Sequence, residues 1–202
     1  MPSSPVCIGL TGGIGSGKSA ALQAFLRRGA AVCSADDVVH GLYADPVIID
    51  AVEQRFGLGV IAPDGCVDRA ALGDQAMAAD GGMRFLEDLL HPRIADARLQ
   101  WIARQRALVP NPPLLVCEVP LLFEAGLDDQ FDAIVVVTAS ESLRRARVSK
   151  RGQDFDTRAA LQWPEDRKVR GADESYVNDG TEAALDAWIG EVFGRWAADG
   201  PR

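Results

Sequence analysis

Ligands for a structural metal are scarce in this chain, which has two histidines and four cysteines among 202 residues. Cys7, Cys33, Cys66 and Cys117 are widely spaced, with no CxxC and no cysteine–histidine pairing, so nothing supports a zinc site. All but Cys66 sit in apolar, strand-like runs and read as buried, reduced thiols. No apolar run approaches the roughly 20 residues that span a bilayer, and the opening MPSSPV is short, uncharged and unlike a signal peptide. The expected location is the cytoplasm. Basic residues are also few, with 21 Lys and Arg against 29 Asp and Glu for a net charge of −8. Proteins that neutralise many phosphates along a nucleic acid carry the opposite balance. The expected ligands are therefore small molecules, with no nucleic acid, no membrane and no obligate protein partner.

What is present is the composition of an ordinary globular chain, 48% hydrophobic and 25% charged, long enough for one domain with room for an insertion. Apolar runs at Val6–Thr11, Ala31–Ser34, Leu114–Val119 and Ile134–Val137, with a weaker one at Ser175–Val177, alternate with helical segments. That alternation predicts a three-layer α/β/α fold around a five-stranded parallel sheet. The gap of about 80 residues between the second and third runs reads as wholly helical. Val47–Phe56 is amphipathic and ends at Gly57, and Asp68 can cap the helix that follows it. MRFLEDLL is expected to stop at His91-Pro92. A separate helix then runs to about Leu108 with Ile94, Ala97, Trp101 and Leu108 on one face, and PNPP closes the section. A helical insertion of this size, about residues 39–111, is where an acceptor can bind.

The most specific stretch lies between the first strand and the first helix. Val6, Cys7, Ile8 and Leu10 form the strand, and Ala20–Arg28 the helix, with Leu22, Phe25 and Leu26 on one side and Gly29 as its stop. Between them stands Gly12-x-x-x-x-Gly17-Lys18-Ser19, the full phosphate-loop pattern in its strand–loop–helix setting. Glycines let backbone N–H groups surround phosphate oxygens, and the helix N-terminus turns its positive end toward them. Lys18 can reach the β- and γ-phosphates, and the Ser19 hydroxyl can ligate Mg²⁺. The loop holds a nucleoside triphosphate.

Chemistry at a γ-phosphate needs a group that orients or deprotonates the attacking oxygen. Ligands of open α/β sheets gather at the carboxyl ends of strands. Two such ends carry acids: Asp36 and Asp37 just past the second strand, and Glu118 at the end of the third, with Glu124 six residues on. Asp36 is the chosen base and can also touch a metal-bound water, whereas Asp37 reads as a capping or solvated residue. Glu118 stands where a metal-water carboxylate belongs, or pairs with a nearby cation. Glu124 is a further acidic candidate on the acceptor side. His40, one helical turn after Asp36, faces the acceptor or the surface; His91 caps a helix or lines the acceptor pocket. Farther on, SLRRARVSKR is basic with no acid, and on a helix Arg144, Arg147 and Arg151 would share one face, a cationic clamp for phosphates or a solvated surface.

GLTGGIGSGKS, SADDVVHGLY, LLHPRI, EVPLLFE and QWPEDRKVRGAD, in that order, resemble the dephospho-CoA kinase family over residues 6 to about 190. The resemblance implies a P-loop NTPase core at about 1–38, 112–140 and 172–202, a helical acceptor-binding insertion and a lid at about 141–171. It implies transfer of the ATP γ-phosphoryl to the ribose 3′-hydroxyl of dephospho-CoA, with Mg²⁺, giving CoA and ADP. By position, Gly12, Gly13, Ile14, Gly15, Ser16, Gly17, Lys18, Ser19 and Ala20 hold ATP, and Asp36 matches the catalytic aspartate. Arg147 and Arg151 match lid arginines aimed at phosphate, Asn178 a segment bordering the adenine, and His91 the acceptor-side histidine, joined there by Asp36, His40 and Glu124. Ser34 replaces an aspartate usual in the family, His40 a commonly basic position and Val177 another aspartate. The lid between Arg151 and Gln162 is about one helical turn short, which also loosens the placement of Arg158. A different small-molecule kinase with the same loop, acting on a nucleoside or nucleotide, is the alternative. A GTPase is disfavoured by the absence of DxxG after a strand and of [NT]KxD, and a non-catalytic binding module by the presence of both Lys18 and a strand-end acid.

Overall fold

The structure is a computed structural model that describes residues 4–152 and 154–199; Gln153, in the expected lid, lies outside them. Five parallel strands, β1 (Val6–Thr11), β2 (Ala31–Cys33), β3 (Leu114–Glu118), β4 (Ala133–Thr138) and β5 (Glu174–Val177), form one sheet in the order β2-β3-β1-β4-β5. The strands match the apolar runs to within a residue or so at each end. The chain leaves β1 toward one edge and later crosses from β3 to the other, so the order reverses beside β1, where such sheets bind ligands at their carboxyl ends. Strands β1 and β4 are buried along their whole length, as a parallel sheet covered on both faces requires.

One face carries α1 (Lys18–Arg27) and α9 (Glu182–Asp199). Ile8, Leu10, Val116, Val135 and Val137 pack there against Leu22 and Phe25 of α1 and Leu185, Ile189 and Val192 of α9. The helix α1 begins at Lys18, two residues before the expected start, and Leu26 is 45% exposed rather than in the core. On the other face Gly9 lies under Leu122 and Phe131, whose atoms fill the space a Cβ would take. Two carboxylates extend the ladder at the strand starts: Asp132 accepts from the Cys7 N–H at 2.8 Å and Asp173 from the Ile134 N–H at 2.7 Å. The thiols of Cys7, Cys33 and Cys117 are buried and that of Cys66 is exposed. Beyond β4 come three short helices, α6 (Glu141–Ser149), α7 (Phe155–Ala159) and α8 (Glu165–Arg170).

The chain divides into two compact units, one running to Ser34 and resuming at Ile102, the other spanning Ala35–Trp101. The second unit holds α2 (Ala35–Leu42), α3 (Pro46–Phe56), α4 (Arg69–Ala78) and most of α5 (Gly82–Arg106) around Ile48, Val52, Val60, Leu72, Ala76, Leu86 and Leu90. It is not wholly helical: Ile61 and Val67 form an antiparallel bridge. The expected break at His91-Pro92 is also absent, since α5 runs straight through it. Leu86 and Leu90 bury their side chains just before the proline. The ring removes the N–H that would reach the Asp88 carbonyl, and one residue on the Leu89 carbonyl accepts from the Arg93 guanidinium at 2.7 Å. His91 is therefore a mid-helix residue and caps nothing. Leu108 lies past the end of α5 and is 50% exposed. Among the described residues no helix is long and apolar enough to cross a membrane.

Asp68 caps α4 by accepting from both Ala70 N–H and Ala71 N–H at 3.0 Å. Asp68→Ala is expected to destabilise the Ala35–Trp101 unit by about 1 kcal/mol, with Asp68→Asn recovering most of the loss. Hydrogen exchange at the Ala70 and Ala71 amides checks this, and unchanged protection in the alanine variant would contradict it.

Candidate functional site

Between β1 and α1 the chain needs glycine at several points, Gly12 and Gly17 among them. Gly12, at φ 148°, has the Val137 carbonyl where a Cβ would stand; Gly17, at φ 107°, has the Asn178 amide there. The loop closes on itself through a Ser16 N–H to Gly13 carbonyl bond of 3.2 Å. Gly17 is the N-cap of α1 and supplies no side-chain cap, so the first N–H groups of the helix remain available to an anion.

Lys18 is buried and folds back along the loop, its Nζ donating to the Gly12 and Gly13 carbonyls at 3.0 Å each. Burial pulls its pKa down to about 8; Glu118 and Glu165 oppose the shift, and Lys168 and Arg151 add to it. An unfolded chain keeps this proton up to the ordinary 10.5. The burial therefore costs stability below about pH 8, and that cost fades as the pH rises toward 10.5.

Two residues expected at the nucleotide hold the loop itself. Arg147 donates from Nη1 to the carbonyls of Gly15 and Ser16 at 3.2 and 3.3 Å, and from Nη2 to the carbonyl of Asn178 at 3.0 Å. The buried Asn178 amide donates to the Ser16 carbonyl at 2.8 Å. These bonds tie back the carbonyls of Gly15 and Ser16. Among the described residues the buried Ser16 hydroxyl has no hydrogen-bond partner, while the Ser19 hydroxyl lies on an exposed residue. Arg151 does not share a helix face with Arg144 and Arg147, because α6 ends at Ser149; it is exposed yet close enough to perturb Lys18.

Glu118 is half-buried at the last position of β3, in register with Leu10 of β1. Among the groups around Lys18 it is the main one favouring the charged form. Glu124 is engaged inside its own unit: its Oε1 accepts the Trp163 N–H at 2.6 Å and lies 2.9 Å from Nζ of Lys168, which is fully buried. Trp163 in turn stacks on Phe123, with the Arg167 guanidinium 3.2 Å from its ring centroid. In the second unit, Asp36 and Asp37 occupy the first turn of α2, where carboxylates complement the helix dipole. His40 follows one turn later, and all three are exposed, as is His91 on α5. Among the described residues no three His, Cys, Asp or Glu side chains are grouped to hold a metal.

Gln162, Glu165 and Lys168 escaped sequence reasoning. Gln162 Oε1 accepts from the Ile14 N–H at 2.8 Å, and the Glu165 carboxylate lies against Gly13 and 4.0 Å from Arg144 Nη1. In the sequence they belong to QWPEDRKVR, whose charges look like a solvated helix face. The available signals were the family likeness of that run as a whole and the Trp163-Pro164 pair ahead of its helix, neither of which gives these side chains a role.

The family model for dephospho-CoA kinase (CoaE) matches residues 6–184. The dephospho-CoA kinase of Anaeromyxobacter dehalogenans is 38% identical over 184 residues, covering 88% of this chain and 86% of that protein. That of Symbiobacterium thermophilum is 36% identical over 196 residues, covering 95% of this chain and 80% of that one. The crystal structure of TT1252 from Thermus thermophilus superposes with a TM-score of 0.74 at 28% identity, over 95% of this chain and 97% of that one. The structure of dephospho-CoA kinase from Campylobacter jejuni, at 20% identity and a TM-score of 0.68 over 96% and 98% of the two chains, shares the fold.

The partners of Glu124 generate a test of what it does. Glu124→Gln leaves the Lys168 ammonium buried without its carboxylate and is expected to cost about 3–5 kcal/mol of stability in urea unfolding. The paired change Glu124→Leu with Lys168→Met should recover most of that. A variant of unchanged stability with a raised KM for the acceptor would instead return Glu124 to the acceptor site.

Proposed function

The chain belongs to the dephospho-CoA kinase family, and from that premise we propose how its own residues carry the reaction. The family's activity is ATP-dependent phosphoryl transfer in the final step of CoA synthesis, and the acceptor is the ribose 3′-hydroxyl of dephospho-CoA. ATP lies on the loop from Gly12 to Ala20, its phosphates held by backbone N–H groups and the N-terminus of α1. The 3′-oxygen attacks the γ-phosphorus, the bond to the β,γ-bridging oxygen breaks, and the hydroxyl proton passes to the Asp36 carboxylate. The products are CoA and ADP.

The observation that carries this reading is the buried Lys18, its ammonium held over the start of the loop by two carbonyls. A desolvated cation there interacts strongly with the negative charge of β- and γ-phosphates during transfer. Arg147 and Asn178 keep the loop in its binding shape, and Arg151 adds positive charge at its mouth. Asp36 is favoured as base by its place in the chain, three residues past Cys33 at the end of β2, and by its exposure. His40, one turn on, and His91 are the further candidates for holding dephospho-CoA. The donor set also suits Mg²⁺. The exposed Ser19 hydroxyl and the carboxylates of Glu118 and Asp36 are hard oxygen ligands, the latter two reaching through water. A kinase site needs few of them because the nucleotide brings the rest. Bound there, the ion neutralises charge on the β- and γ-oxygens.

Incubation of purified protein with MgATP and dephospho-CoA is expected to add one phosphoryl group to the acceptor by mass spectrometry, matched by ADP in a coupled assay. Asp36→Asn should lower kcat by about 10²- to 10⁴-fold, the range for losing a general base, and leave ATP affinity unchanged. Weakened ATP binding at normal kcat would assign Asp36 to the nucleotide or its metal. ADP formation without acceptor modification would overturn the acceptor.

A further inference from the structure

The phosphate loop is already occupied by side chains of its own unit. The Ile14 N–H donates to Gln162 Oε1 at 2.8 Å. The Glu165 carboxylate is drawn to the Gly13 N–H, and a methyl group on Gly13 would run into Glu165 Oε1 and Arg144 Nη1. Glu165 Oε1 stands 4.0 Å from Arg144 Nη1, with both side chains largely buried, while its Oε2 has no hydrogen-bond partner among the described residues. Two acceptor groups thus sit on two successive loop N–H groups beside an arginine and a buried lysine, an environment made for phosphate oxygens.

The direction of Lys18 identifies which phosphate they replace. Its side chain starts at the helix N-terminus and ends at Gly12 and Gly13, and a lysine at this position reaches the β- and γ-phosphates. The start of the loop, Gly13 and Ile14, is therefore its γ end. We propose that Gln162 and Glu165 are specificity-determining residues that stand in for the terminal phosphate of ATP. A triphosphate displaces them from Gly13 and Ile14 and takes over Arg144, whereas a diphosphate leaves them in place.

The exchange fits the charges. Glu165 and a γ-phosphate cannot share the same N–H groups without strong like-charge repulsion. Burial already raises the Glu165 carboxyl above its ordinary pKa, with Arg144, Lys168 and Lys18 acting against that. The backbone behind the two side chains stays put, because Trp163 is fixed by its bond to Glu124 and by Phe123 and Arg167. Only two side chains have to turn. Once the γ-phosphoryl has left, the same side chains return to the vacated N–H groups.

The inference rests on the proposed ATP site, and calorimetric titration with MgADP and with a non-hydrolysable Mg-ATP analogue separates the two. In the Gln162→Ala/Glu165→Ala variant the analogue is expected to bind about tenfold more tightly, the effect of removing two competing hydrogen bonds, with ADP within about twofold of wild type. Glu165→Gln, nearly isosteric and safe for folding, should tighten the analogue severalfold and leave ADP unchanged. Equal tightening of both ligands, no change in either variant, or weaker analogue binding would overturn the inference. The last outcome would make the pair structural supports or nucleotide ligands. A wild-type protein that binds neither ligand would overturn the ATP site itself, and the inference with it.

Discussion

A single ammonium group taken out of water sets the terms for the rest of this site. Lys18 at the N-terminus of a helix already meets the positive end of the helix dipole, and burial adds a further penalty. The chain meets that cost with the carbonyls of Gly12 and Gly13 and the carboxylates of Glu118 and Glu165. The glycines allow the loop to present those carbonyls, and Arg147 and Asn178 tie back the next ones, at Gly15 and Ser16. Strand β3 has to end in register beside β1 for Glu118 to contribute. The second buried lysine, Lys168, has the Glu124 carboxylate 2.9 Å from its Nζ.

The two units divide the chemistry. The sheet-bearing unit carries the phosphate-loop pattern, and the contacts that hold that loop are specific down to individual carbonyls. The helical unit carries Asp36, His40 and His91 on exposed positions of α2 and α5, with its own core around Ile48, Leu72 and Leu90. The connection between them is short, since Ser34 and Ala35 separate Cys33 of β2 from Asp36. Ser34, where the family resemblance implies an aspartate, leaves Asp36 and Asp37 as the acids of that turn.

The strands were legible because parallel strands buried on both faces have nearly continuous apolar sequences, and the phosphate loop was legible because its residue pattern is long. Asp68 as a cap was equally visible, since capping is local. Pro92 misled because a local rule about helix ends gave way to the burial of Leu86 and Leu90, which holds the turn before the ring in the core. The roles of Arg147, Gln162 and Glu165 were hidden for another reason: their partners in the phosphate loop lie more than 130 residues away along the chain. A sequence shows that an arginine or a carboxamide is present, but not whether it faces a ligand or a backbone carbonyl. Glu124 shows the same limit, a carboxylate in a site-like motif that the fold pairs with a buried lysine.

The protonation of Lys18 is the most direct point at which to test a desolvated cation awaiting phosphate. The chain has three lysines, Lys18, Lys150 and Lys168, so their Nζ resonances can be followed individually by ¹⁵N NMR as the pH is raised. Lys18 should titrate near its lowered value of about 8 in the free protein and move back toward 10.5, the ordinary value, when MgATP binds. A Lys18 that titrates at the ordinary value and ignores ATP would contradict it.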